Sequence, residues 1–222
     1  CRCGIGGVYA DIDVEAVTPL DDLLAAAATV RAGVLLGEEN FVHCVLLERK
    51  SLGFVSNAVI ASARGHPFWL EALREIFADA AWCGDDPVKC TGPRLLDRLS
   101  WSYAQRPCDP EGCLVRLPYM YFSPEIAAWN AENMVKECST SAFRSDTFRM
   151  KEASWKKRVE RACDSLAQVL QYPSALRTNR TYTVHQWQCS WCREDAAMKQ
   201  TVTLNSVIWL VGNESTFFSY GH

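Results

Sequence analysis

The sequence predicts an α/β domain built on a mostly parallel central sheet. Three observations carry that expectation. Short runs rich in Val, Ile and aromatic residues alternate along the chain with stretches of helical periodicity. The chain has 222 residues, 49% of them hydrophobic, enough for one sizeable core. No internal repeat or low-complexity linker divides it, so residues 1–222 read as a single domain, with a polar, partly helical insertion around 125–180.

The elements follow in order. Gly6 and Gly7 precede Val8, Tyr9, Ala10, Ile12 and Val14, an apolar bias that fits a strand. Thr18-Pro19 leads into a helix over LDDLLAAAATV, where Asp21 and Asp22 favour the helix start. FVHCVLLE (Phe41–Glu48) and FVSNAVIAS (Phe54–Ser62) read as strands. Gly65-His66-Pro67 opens a helix whose Trp69, Leu73, Ile76, Phe77 and Ala80 form an apolar stripe, and His66 reads as a helix-start residue. TGPRLLDRLSWSYA begins another helix at or after Pro93, and CLVRLPYMYF is strand-like up to Pro124. SWKKRVERACDSLAQVL reads as an amphipathic helix whose Lys156, Lys157, Arg158 and Arg161 form a solvated face. TYTVHQW (Thr181–Trp187) reads as a strand, whereas TVTLNSVIWLV (Thr201–Val211) fits a strand or a helix equally.

Composition narrows the function classes. With 23 basic and 26 acidic residues the net charge is −3, which argues against a nucleic-acid binder held by counterion release. No run of about 18 apolar residues is present to span a membrane, and no signal peptide is visible. The chain opens on Cys1, inside a motif and without an initiator Met, which reads as an N-terminal truncation. Eleven cysteines, with close pairs at Cys1/Cys3, Cys83/Cys90, Cys108/Cys113 and Cys189/Cys192, tilt towards an oxidising lumen, and the odd count leaves at least one thiol free or paired elsewhere. The glycosylation acceptor patterns at Asn179 and Asn213 point the same way. A structural zinc at Cys189-x-x-Cys192 lacks a second such pair.

The stretch GGVYADIDVE carries the chemistry. On a strand, Asp11 and Asp13 share a face, and two carboxylates side by side repel. Either they face water, or a basic residue such as Arg2 answers them, or a cation sits in front. Ligands of α/β sheets bind outside the carboxyl ends of the strands, where this pair falls.

Four segments then share one resemblance. GGVYADIDVEAVTPLDDLL resembles the donor segment of the glycosyltransferases with the Asp-x-Asp sugar-binding motif, family 32. VSNAVIASARGHPFW (Val55–Trp69), CTGPRLL (Cys90–Leu96) and TVHQWQCSW (Thr183–Trp191) resemble later segments of that family in the same order, over about 190 residues. Four departures stand beside them: the first nucleotide-binding strands of the family are absent, Arg2 lies too close to the paired glycines, His185-Gln186-Trp187 stands where His-His-Trp is usual, and the stretch between Pro124 and Thr181 is longer than usual.

The resemblance implies a GT-A-like fold and a metal-dependent, retaining hexosyltransferase. Its donor would be a nucleotide sugar, GDP-mannose favoured over UDP-galactose, and its acceptor a glycan or glycolipid. It also implies the Golgi or endoplasmic reticulum lumen, with a membrane anchor in the missing N-terminal part. Mn²⁺ or Mg²⁺ suits the oxygen ligands. Asp13 would be the more direct metal ligand, Asp11 would contact the ribose, the metal or both, and His185 would approach the metal or the diphosphate. Trp187 and Trp191 would either close over the diphosphate or pack in the core. Asn57, beside Ser56, would reach the sugar hydroxyls or turn the chain; Gly92 would let backbone approach the ligand; Glu15 would support Asp13. Two rivals remain: a UDP-galactose-dependent α-galactosyltransferase, and a non-catalytic nucleotide-sugar-binding or scaffold domain. A phosphohydrolase using Asp11 and Asp13 lacks the further carboxylate or histidine clusters of two-metal sites.

Overall fold

The structure, a computed structural model, describes residues 6–50, 53–79, 87–139 and 153–188. Cys1–Trp187 form one compact unit, described here, and Gln188–His222 form a second. Arg2, Cys189, Trp191, Cys192, Asn213 and the Thr201–Val211 segment lie outside the described residues.

The fold is mixed α/β. A four-stranded sheet has the order β1-β4-β3-β5, with β1 Gly7–Ala10, β3 Ala32–Glu38, β4 Val55–Ser62 and β5 Cys113–Leu117. A separate two-stranded ribbon joins β2 (Val14–Ala16) to β6 (Thr183–His185). The expected mostly parallel sheet is corrected: β1–β4 and β4–β3 are antiparallel, and of these pairings only β3–β5 is parallel. The cause is local. Phe41–Glu48, expected as a strand, forms the short helix α2 (Phe41–Leu46). This helix turns the chain so that β4 runs back beside β3 instead of crossing over to lie parallel.

An unbroken apolar run does not distinguish a buried helix turn from a strand. Asn40 decides it: its Oδ1 accepts from Val42 N–H at 2.8 Å, its Nδ2 donates to Pro124 O at 2.5 Å, and a helix start results. The sequence reading also passed over β3, whose five central residues are all buried. Its Gly33 and Gly37 interrupt the apolar pattern, and Gly37 lets the Phe122 ring approach: a Cβ there would lie 2.7 Å from it.

Helices cover both faces of the sheet. Val34 and Leu36 of β3 pack with Phe68 and Ala72 of α3 (Phe68–Asp79) and with Leu95, Leu96 and Leu99 of α5 (Pro93–Tyr103). Leu35, on the alternate face, packs with Leu23 and Ala27 of α1 (Asp21–Thr29) and with Val59, Ala61 and Phe122. The one-turn α4 (Pro87–Cys90) precedes α5. A third apolar cluster joins α2 to Met134 of α6 (Ala131–Ser139) and to Trp155, Val159, Ala162, Leu166 and Val169 of α7 (Ala153–Gln171). The stretch read as an insertion thus supplies a helical layer that buries α2. Disulfide Cys138–Cys163 ties α6 to α7, and Cys108–Cys113 closes the entry to β5. Cys90 is also disulfide-bonded, and Cys44, buried in α2, is free. His66 opens α3 as expected: Phe68 N–H donates to its Nδ1 at 3.3 Å, and its Nε2 lies 3.2 Å from Gly112 O.

A buried charge cluster fixes the sheet to α5. Arg116 of β5 donates to Asp97 Oδ1 at 2.9 Å and to Glu38 Oε1 at 3.2 Å, and its guanidinium lies 4.1 Å from the Trp101 ring centre. Asp97 also accepts from Val55 N–H at 3.2 Å, so one carboxylate links β4, β5 and α5.

Among the described residues no helix is long and apolar enough to cross a membrane.

A candidate metal centre

The stretch read as one strand is two. β1 ends at Ala10, a turn carries Asp11 and Asp13, and β2 begins at Val14. Val14 N–H donates to Asp11 O at 3.1 Å, which closes the turn, and Asp11 N–H donates to Ala58 O of β4 at 2.8 Å. The two aspartates therefore come together through a turn and not through strand alternation. Ile12, between them, is pushed fully into solvent.

The second strand delivers the histidine. Val14 pairs with His185 across the β2–β6 ribbon, and Gln186 N–H donates to Asp13 O at 2.8 Å. β6 is itself anchored to the turn after β5. The Thr183 hydroxyl donates to Phe122 O at 2.9 Å, Tyr182 N–H donates to Tyr121 O at 2.9 Å, and the two tyrosine rings stack. This is how residues 172 positions apart in the chain meet. His185 Nε2 lies 3.2 Å from Asp13 Oδ2, and one ligand atom each from Asp11, Asp13 and His185 lie within 4.8 Å of one another.

That spacing accommodates one divalent ion. An ion about 2.1 Å from each donor holds neighbouring donors about 3 Å apart and opposite donors about 4.2 Å apart. The His185–Asp13 distance of 3.2 Å already matches a neighbouring pair, and the Asp11 ligand atom lies within 4.8 Å of both. Without a cation the arrangement is unfavourable: two carboxylates about 4 Å apart repel by about 1 kcal/mol in water and about 4 kcal/mol at a partly buried site. All three side chains are partly buried, so that repulsion is only partly screened. The donor set of two carboxylate oxygens and one imidazole is one that divalent cations take.

Asp11 has a further partner: the Tyr9 hydroxyl donates to its Oδ1 at 2.5 Å. Tyr9 was read from the sequence only as a residue of the opening strand, although it stands two residues from Asp11. Glu15, expected to support Asp13, instead accepts from Gln186 Nε2 at 2.8 Å. The residue that departs from the family pattern is therefore engaged on the outside of the ribbon.

Trp187 is the most constrained residue of the site. Its φ of +53° lies in the left-handed region, which a bulky residue enters at a cost of about 1 kcal/mol or more. Neighbours hold it there. The His185 ring lies 4.3 Å from its ring centre, the His43 ring meets it edge-on at 4.9 Å, and Trp129 Nε1 donates to its carbonyl at 2.8 Å. Trp187 Nε1 and His185 Nδ1 are both buried without a protein partner among the described residues. An indole N–H is a donor only, so it calls for an acceptor such as a ligand oxygen.

Behind Trp187, His43 Nδ1 lies 2.6 Å from Glu39 Oε2, a close ionic approach whose angles fall short of an aligned hydrogen bond. Burial is the largest single influence and pushes the His43 pKa down, but Glu39 and Glu48 together outweigh it and the net shift is upward. Neither residue was singled out in the sequence, because α2 was read as a strand.

The remaining expected residues divide. Asn57 is half-buried on β4, next to the Ala58 carbonyl that holds Asp11. Gly92 is the N-cap of α5, extended at φ −101° and ψ −153°, and its carbonyl accepts from Leu96 N–H. Its visible role is to open a helix with Pro93, and no ligand contact follows from it. Trp191 lies outside the described residues. No protein-family model matches the chain, and no curated protein matches it.

Proposed function

We propose that the chain is a metal-dependent glycosyltransferase that moves a hexose, mannose favoured, from a nucleotide sugar to a glycan or glycolipid acceptor with retention of configuration. One observation carries the reading: Asp11 and Asp13 share a site with His185, whose segment closes the proposed family's motif set from the far end of the chain. Asp13 and His185 act as the direct ligands of Mn²⁺ or Mg²⁺. Asp11, held by the Tyr9 hydroxyl, contacts the same ion or the donor's ribose. Trp187 donates its unpartnered indole N–H to a phosphate oxygen. A cation bound here would offset the negative charge that grows on the diphosphate as the glycosidic bond breaks. Luminal localisation and an anchor outside this chain belong to the same proposal.

Turnover tests it. With Mn²⁺, the chain releases nucleoside diphosphate from GDP-mannose, or from UDP-galactose if the donor is galactose. Chelation abolishes release, and Asp13→Ala lowers it by about 100-fold, in line with loss of a metal ligand. A well-folded chain that turns over neither donor, with any acceptor class, defeats the reading.

A further inference from the structure

Of the basic residues of α7, Lys156, Lys157 and Arg161 are exposed, as read from the sequence, and Arg158 is half-buried. Lys156 pairs with Glu160 at 3.8 Å and stands in solvent. Lys157, Arg158 and Arg161 line a cleft of about 430 Å³ between α7, the start of α2 and the 3-10 turn Pro173–Leu176. Among the described residues none of these three makes an ion pair and no carboxylate lines the cleft. The Arg161 guanidinium lies 5.3 Å from the Phe41 ring centre, over one wall of the cleft. Phe41 and Leu176 supply apolar surface, and Tyr119 adds a hydroxyl.

Three uncompensated cations within little more than one helical turn repel one another, and an anion shared among them removes that cost. A phosphomonoester fits the count. It carries close to two negative charges at neutral pH and offers three acceptor oxygens, which planar guanidinium forks recognise well. The cleft lies in the size range of small-molecule sites, so there is room for an organic group against Phe41 and Leu176. It shares no residue with the Asp11–Asp13–His185 centre.

We propose that this cleft binds a phosphomonoester attached to an apolar group, at a site separate from the metal centre. The phosphate could belong to a soluble compound or to a lipid headgroup, and the experiment separates these sources. Inorganic phosphate and phenyl phosphate are titrated into the whole chain by calorimetry at low salt. Sedimentation with phosphatidylcholine vesicles, with and without phosphatidic acid, is the second arm. Phenyl phosphate binds saturably and more tightly than inorganic phosphate. Arg158→Ala with Arg161→Ala weakens it by about tenfold or more, whereas Lys156→Ala and Asp13→Ala leave it unchanged. Sedimentation only with phosphatidic acid, lost in the arginine variant, assigns the source to a lipid; soluble binding alone assigns it to a free compound. The single variant Arg161→Gln repeats the test should the double variant lose its fold. Absence of saturable binding in both arms, or equal affinity in the arginine variants, overturns the proposal. Because Asp13→Ala retains the site, its failure is distinct from failure of the transferase reading.

Discussion

His43 shows how a single side chain couples burial, charge and the site. It is buried in α2, meets Glu39 on one side and the edge of Trp187 on the other. Desolvation, the largest single influence, would lower its pKa, and the Glu39 and Glu48 carboxylates together raise it by more. A folded pKa above the unfolded value means that the pair's contribution to stability is complete below about pH 6.5. It is lost as pH rises through the folded pKa. The urea midpoint of the wild-type chain should therefore fall from pH 6 to pH 9 by more than that of His43→Asn. Parallel pH profiles for the two proteins would remove His43 from the account. Trp187 is a related case. Its left-handed backbone is visible only in three dimensions, yet His185, His43 and Trp129 all bear on it.

Among the elements, the β2–β6 ribbon and the Asp97–Arg116 link decide most. The ribbon brings His185 to Asp13 by register alone, Val14 facing His185. Asp97 and Arg116 hold α5 against β4 and β5, with the Asp97 side chain almost fully buried. Removing one partner leaves the other charge buried without compensation, so Asp97→Ala should cost about 3–5 kcal/mol in denaturant unfolding. A loss below about 1 kcal/mol would mean that the cluster is solvated and structurally idle.

Element type was legible where length or end signals were strong. Gly65-His66-Pro67 and Gly92-Pro93 marked two helix starts that the structure retains. Phe41–Leu46 was not legible as a helix, because six apolar-rich residues carry no usable period and the deciding Asn40 bond reaches Pro124, far along the chain. β3 escaped because Gly33 and Gly37 break its pattern, a need set by the Glu111 carbonyl ahead of β5 and by Phe122.

For the whole molecule, the α/β class was readable and the sheet's direction was not. Strand direction depends on whether each connection crosses over or turns back, and α2 made one connection turn back. The site was readable in part. Asp11 and Asp13 were chosen from one segment and His185 from another, and the three converge on one centre. Tyr9, Glu39, His43 and Trp129 were missed, since their value lies in contacts made after folding. The basic helix face is largely exposed, as read, but the cleft it shares with α2 cannot be seen from one helix. The donor nucleotide, the acceptor and the reaction itself rest on the proposal and its turnover test.

The central claim is that Asp11, Asp13 and His185 together hold one divalent cation. Titration of Mn²⁺, followed by electron paramagnetic resonance, tests it without reference to any substrate. The account predicts one site in the wild-type chain, weakened by about 10- to 100-fold in Asp13→Ala and in His185→Ala, while the far-ultraviolet dichroism stays unchanged. Mn²⁺ affinity that is absent from the wild type, or equal in all three proteins, would contradict it.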